Sequence, residues 1–228
     1  MTDDYMADHW WWRRGWRPGR RKYTWHFTFD GKQEVHALAA SYHARLAALP
    51  GLDLIPAQWL HLTTQGVGFT DEVSEEEVAA LLEASARRLR GFPAQRVTLG
   101  PARVTPEAIL LDISPSDALS AIRHELRQAI SGVLGQARLT GTDGWAPHVS
   151  VAYSHGTGPQ APFEGAIEAG ETAQTVISTV QLIVLGRDHR LYEWTTRGGV
   201  RLAPGPDHEG GPAGQPTKIQ NGCPAGSA

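Results

Sequence analysis

Apolar positions recur along this chain with two different periods, and the stretches with each period take turns. Tyr23–Phe29 is aromatic and β-branched and predicts a strand. Glu34–Leu49 carries Val35, Leu38, Ala39, Tyr42, Leu46 and Leu49 at helical spacing. Gln58–Gln65 predicts a second strand. Ser74–Arg90 predicts a helix that opens on a capping box, Ser74 to Glu77, and stops at Gly91. Arg96–Val104 and Ala108–Ile113 predict a hairpin around Thr105-Pro106-Glu107. Ser116–Leu134 predicts a third helix, with Leu119, Ile122, Leu126, Ile130 and Val133 on one face. His148–Ser154, Ser178–Gly186 and Leu191–Thr196 predict strands, the last two as a hairpin around Asp188.

This order repeats. Strand 23–29, helix 34–49 and strand 58–65 make one unit, and strand 108–113, helix 116–134 and strand 148–154 make another of nearly the same length. Each unit is followed by a connector and a further strand. The fold class is therefore α+β, duplicated and bilobal, with two antiparallel sheets facing a central groove and helices outside.

Composition adds an asymmetry. The 228 residues carry a net charge of -3, but residues 9–29 hold six basic residues and no acid, which leaves -9 on the rest. Five of the eight tryptophans (Trp10, Trp11, Trp12, Trp16, Trp25) share that stretch. The expected organisation is a Trp/Arg-rich arm at 1–22, a bilobal domain at 23–202 and a disordered tail at 203–228, where Gly and Pro dominate. The apolar runs, such as Ile109–Leu111, are too short to span a bilayer. No apolar segment follows the acidic Asp3, Asp4 and Asp8, so no secretory signal is expected. The one cysteine, Cys223, permits no intramolecular disulfide and no thiolate zinc site. A cytoplasmic monomer without membrane contact is the expectation.

Ten histidines carry the candidate chemistry. Four are followed two residues later by Ser or Thr: His26, His61, His148 and His155. Only His61 and His148 occupy equivalent places, in the third element of each unit. Thr24 precedes His61 by 37 residues and Ile109 precedes His148 by 39. Leu60 and Leu62 flank one and Val149 and Val151 alternate with the other. With a side-chain period of two, His61 and Thr63 share a face, as do His148 and Ser150, while the apolar neighbours turn inward. One neutral imidazole can take a proton while a protonated one gives a proton to a leaving oxygen. The hydroxyls can hold non-bridging phosphate oxygens. The bland alternative is a pair of hydrogen-bonded strand histidines.

The paired His61-Leu-Thr63 and His148-Val-Ser150, 87 residues apart on strands of a duplicated α+β body, resemble the 2H phosphoesterase superfamily. The nearest branch is the 2'-5' RNA ligase-like, or RNA 2',3'-cyclic phosphodiesterase, branch. The resemblance covers roughly residues 23–197. It implies metal-independent hydrolysis or ligation of 2',3'-cyclic phosphates or 2'-5'-linked RNA or nucleotides, with no cofactor. His61 and His148 would be catalytic, and Thr63 and Ser150 would bind phosphate. The sequence departs from the family at Tyr153, where many members carry an Arg. That departure keeps a phosphoesterase for a non-RNA metabolite in view.

Further expectations concern the surroundings. His26 and Trp145 are candidate groove residues, as is Tyr153. Arg17 and Arg20 in the arm are candidate substrate contacts, since Arg pairs with phosphates and Trp stacks on unpaired bases. The arm could equally pack on the body, its arginines solvated or paired with acids. A non-catalytic RNA-binding module that uses arm and groove is the reading from another class. His36, His43, His124 and His189 are expected to be solvated, and His155 to sit in a loop.

Overall fold

A computed structural model describes residues 4–139 and 144–205. The tail expected from 203 onward falls, from residue 206, outside the described residues. In chain order the elements are β1 (Tyr5–Met6), β2 (Lys22–Thr28), α1 (Gln33–Leu46), β3 (Leu52–Leu54), β4 (His61–Phe69) and α2 (Glu75–Arg88). There follow β5 (Gln95–Val104), β6 (Ala108–Ser114), α3 (Asp117–Leu134), β7 (His148–Ser154) and β8 (Gly158–Pro159). The last are α4 (Ala161–Ile167), β9 (Ala173–Ile177), β10 (Thr179–Gly186) and β11 (Glu193–Arg201).

Two antiparallel sheets form the body. One has the order β11-β10-β2-β4 and the other β3-β7-β6-β5-β9. The bilobal α+β expectation holds. The repeat has a twist that local patterning cannot show, because the halves exchange parts. β5, which follows the first unit, pairs with β6 in the second sheet, and β10, which follows the second unit, pairs with β2 in the first. The helices cross too. α1 packs on β9 and β7 of the second sheet, whereas α3 packs on β4 of the first and beside α2. Neither half can therefore bury its helix without the other. The lobes share one core, in which Val35, Leu38, Tyr42, Ile122, Leu126 and Ile130 are all buried.

Local chemistry sets the elements as read. Ser74 Oγ accepts from the Glu77 amide and Glu77 Oε2 accepts from the Ser74 amide, which closes the capping box of α2. Some ends differ. Residues 58–60 do not extend as strand, because Ala57–Trp59 forms a 3-10 turn behind Pro56 and β4 starts at His61. β11 runs to Arg201 instead of stopping at Thr196, paired along its length with β10. His36 and His43 are not solvated. Their Nε2 atoms bond the carbonyls of Phe29 and Val151, which half-buries both rings.

The arm lies on this body. His9 stacks on Tyr153 with ring centroids 4.1 Å apart, and Trp10 donates to Asp53 Oδ2 at 2.9 Å. Arg20 grips Asp71 and Glu72 and caps the Phe69 ring at 3.6 Å. The arm thus runs from the Tyr153 end of β7 to the Phe69 end of β4. Along the way Trp10, Trp12 and Trp16 surround the buried Arg187 guanidinium. Among the described residues no helix is long and apolar enough to cross a membrane.

Candidate active site

Each motif strand places its histidine by the same device. The 3-10 turn before β4 brings the Trp59 carbonyl to His61 Nδ1, at 2.8 Å. Pro147 before β7 holds Ala146 so that its carbonyl meets His148 Nδ1, at 2.9 Å. A carbonyl only accepts, so Nδ1 carries a proton in both rings. When either ring is neutral its lone pair sits on Nε2.

The registers agree as well. His61 stands opposite Thr28 and Thr63 opposite His26, and Thr64 is then an extra residue before Gln65 meets Trp25. His148 stands opposite Asp112 and Ser150 opposite Leu110, and Val151 is extra before Ala152 meets Ile109. A β-bulge therefore falls three residues after each histidine, where it bends the strand and re-aims its side chains. Each bulge carbonyl takes a bond from a helix of the other half: Thr64 O from Arg123 Nε at 3.1 Å, Val151 O from His43 Nε2 at 2.9 Å.

The four motif side chains line one cavity of about 500 Å³. Trp145 and Tyr153 line it with them, as do Arg13, Lys22, Thr24, Arg123 and Tyr192. The motif strands cross it in opposite senses. Trp145, three residues before His148, donates to the Thr63 carbonyl at 3.1 Å, and Tyr192 touches both His61 and Tyr153. The apolar alternates point away, with Leu62, Val149 and Val151 fully buried.

The two imidazoles stand in unlike surroundings. His61 is 7% exposed, walled by the edges of Trp194 and Tyr192 and stacked flat on His26 at 4.5 Å. Burial lowers its pKa to about 4, the Trp59 carbonyl pulls part of that back, and nearby His148 lowers it further. His148 is half-exposed at the rim. His26 is fully buried and lies behind His61 instead of lining the cavity. Burial, then the neighbouring His61, hold its pKa well below the ordinary value. Its Nε2 meets Thr63 Oγ1 at 3.2 Å.

Tyr153 is buried beneath His9, and burial holds its phenol protonated far above the usual range. Position 153 thus carries no positive charge of its own. Arg17 and Arg20 do not reach the cavity, because both are ion-paired at Asp71, Arg20 also at Glu72. His155 sits after β7 with Nδ1 3.1 Å from Asp53, away from the cavity lining. Sequence reasoning took Arg13 and Lys22 only as part of the basic arm, without singling them out, and passed over Arg123 and Tyr192. For Lys22 a signal existed, since it alternates with Thr24 and His26 along one strand face. Arg123 and Tyr192 arrive from distant elements and left none.

The family model for the 2'-5' RNA ligase superfamily matches residues 32–189, a span that contains both motifs. The chain belongs to that superfamily. Its fold is similar to that of TT0787 of Thermus thermophilus, with 20% identity over 81% of this chain and 98% of that one, TM-score 0.62. It is also similar to Escherichia coli LigT complexed with phosphate, at 16% identity, 81% and 98% coverage and TM-score 0.56. The MHV ns2 PDE domain is a third, at 11% identity, 73% and 99% coverage and TM-score 0.51. A comparison with curated proteins finds no match. At these identities the likeness establishes the 2H phosphoesterase fold. The arm lies outside the matched span.

Proposed function

We propose that the protein is a metal-independent phosphodiesterase for 2',3'-cyclic phosphate or 2'-5'-linked ribonucleotides, with His61 as general base and His148 as general acid. One observation carries the reading: two imidazoles line a single cavity, each with Nδ1 tied to a backbone carbonyl and Nε2 left to handle protons. His61, neutral in its buried setting, takes a proton from water through Nε2 as the water oxygen bonds to phosphorus. The bond from phosphorus to the ribose oxygen breaks, and that oxygen takes the His148 proton. Water is added across the ring and a phosphomonoester leaves. Solvent then returns the histidines to their starting states. Ligation is the same path reversed, with a ribose hydroxyl in the place of water.

Thr63 and Ser150 hold the non-bridging oxygens. If the His26 proton sits on Nε2, Thr63 accepts it and keeps its own hydrogen for the phosphate. The setting is a cytoplasmic monomer, consistent with a chain whose single cysteine has no mate.

The test is incubation with a dinucleotide ending in a 2',3'-cyclic phosphate, with EDTA present. Ring opening at an undiminished rate is expected. Activity that vanishes with the chelator, or survives loss of both His61 and His148, contradicts the mechanism. The exposed Trp11 and Trp12, at 51% and 49% beside exposed Arg14, favour one second reading, RNA binding without turnover. That reading expects W11A/W12A to abolish RNA affinity and expects no ring opening by the intact protein.

A further inference from the structure

The cavity is longer than the chemistry just described requires. From the motif residues it continues along β2 and β4, past Thr24, Gln65 and Gly66, to Lys22. Lys22 is four residues beyond His26, which stands opposite Thr63. At about 3.3 Å per residue that is roughly 13 Å from the phosphate-holding hydroxyl. A short single strand bridges this separation and a lone cyclic nucleotide does not.

The charge state of this end sets it apart from the rest of the arm. Of the six basic residues in 9–29, Arg13 pairs with Glu107, Arg17 and Arg20 with Asp71, and Arg21 with Asp188. Arg14 faces solvent. Lys22 alone is directed at the cavity with no ion pair or hydrogen bond to any described residue; the Phe69 ring lies 5.5 Å from its ammonium, and the Glu72 carboxylate acts on it only from beyond contact distance. A half-buried ammonium without a counter-charge in contact is costly unless an anion completes it. Arg123 adds a positive charge nearer the motif residues, beside the Trp145 ring with its Nε anchored on the Thr64 carbonyl, so cationic groups stand toward both ends of the cavity. Trp16 closes the Lys22 end, packed edge-on to Phe69. Lys22 and Trp16 both precede residues 32–189, the span matched by the family model.

We propose that the Lys22 end of the cavity is a second anion subsite that takes another phosphate of the substrate strand, so that the preferred substrate is an oligonucleotide end and not a mononucleoside. The proposal rests on the phosphodiesterase reading above. Thr24 contributes a polar contact between the two phosphate positions, and the arm, by seating Trp16, completes the wall.

The test compares adenosine 2',3'-cyclic phosphate with the di- and triadenylates that end in the same cyclic phosphate. For the intact protein KM falls roughly tenfold from the mononucleoside to the longer substrates, the size of one charge-assisted contact. In Lys22→Gln the ratio of KM values closes to near one, and in Lys22→Arg most of it returns. Equal KM values across the series, or a ratio that Lys22→Gln leaves alone, overturn the subsite. If nothing turns over, the phosphodiesterase reading fails on its own, and calorimetric titration with the 3'-phosphorylated triadenylate then decides the subsite. Binding that weakens about tenfold in Lys22→Gln, with a salt slope shallower by about 0.7, sustains it. Binding unchanged by that substitution rejects it.

Discussion

The two motif strands make an informative pair, because they share a frame and differ in what surrounds it. Both histidines are pinned through Nδ1 by the carbonyl two residues before, and both strands bulge three residues after. Both hydroxyls sit beside a polar ring, His26 next to Thr63 and Tyr153 next to Ser150. Yet the position opposite Thr63 is His26, and the position opposite Ser150 is Leu110. His61 is sealed under tryptophan and tyrosine edges, and His148 stands at the rim. A duplicated scaffold supplies two equivalent imidazoles. Unequal burial then gives them different settings, with the desolvated His61 held neutral near pH 7 and His148 half-exposed at the rim.

The largest test of this division removes each histidine. H61A and H148A should each lower kcat/KM about 100- to 10,000-fold on a cyclic-phosphate substrate. Unequal burial should also show in acid. An unfolded imidazole titrates near 6.5 and His61 titrates near 4 in the fold, so between these values the unfolded chain binds more protons. Stability is intact above pH 6.5 and declines as pH falls toward 4, by about 3 kcal/mol from His61 alone, with buried His26 acting in the same sense. Denaturant titrations at pH 7.5 and pH 4.5 measure this. An unchanged free energy would mean that His61 is not desolvated.

Making the lobes alike sharpens the comparison further. His26→Leu installs the residue of the second lobe and removes a buried imidazole whose Nδ1 has no partner among the described residues. Stability should rise by about 1–2 kcal/mol while the rate falls roughly tenfold as Thr63 loses its partner. The mirror change, Leu110→His, should destabilise by about 2 kcal/mol. A rate unaffected by His26→Leu would show that Thr63 needs no support from behind. The smallest effect belongs outside the cavity: Arg17→Gln should leave both KM and the unfolding midpoint where they are, since the pair with Asp71 is exposed.

Much of this was legible in the chain. Alternation alone put His61 with Thr63, and His148 with Ser150, on one face turned away from the core, because a strand of period two with Leu62 or Val149 pointing inward between them leaves no other choice. The capping box marked α2 to within a residue of its start. What the chain hid was long-range. Exchange of β5 with β10 and of α1 with α3 depends on which half completes which sheet, and local propensity carries no such information. β3 and α4 were passed over because they are short and set among Gly and Pro, and β9 because five residues are too few for a period to build. In the arm, residue type pointed to Arg17 and Arg20, whereas acids more than fifty positions away along the chain decide that Arg20 is held at Asp71 and Glu72. Only contacts between distant segments separate a committed arginine from the uncommitted Lys22.

The central claim is that His61 and His148 act as one acid–base unit on a single phosphate. The most direct measurement is kcat/KM for the intact protein, H61A, H148A and the double variant on one cyclic dinucleotide. The account predicts that each single loss is about as large as the double loss, because a pair that works in concert is disabled by removing either member. Losses that simply multiply, or a double variant that still turns over, would show that the two histidines do not share the reaction.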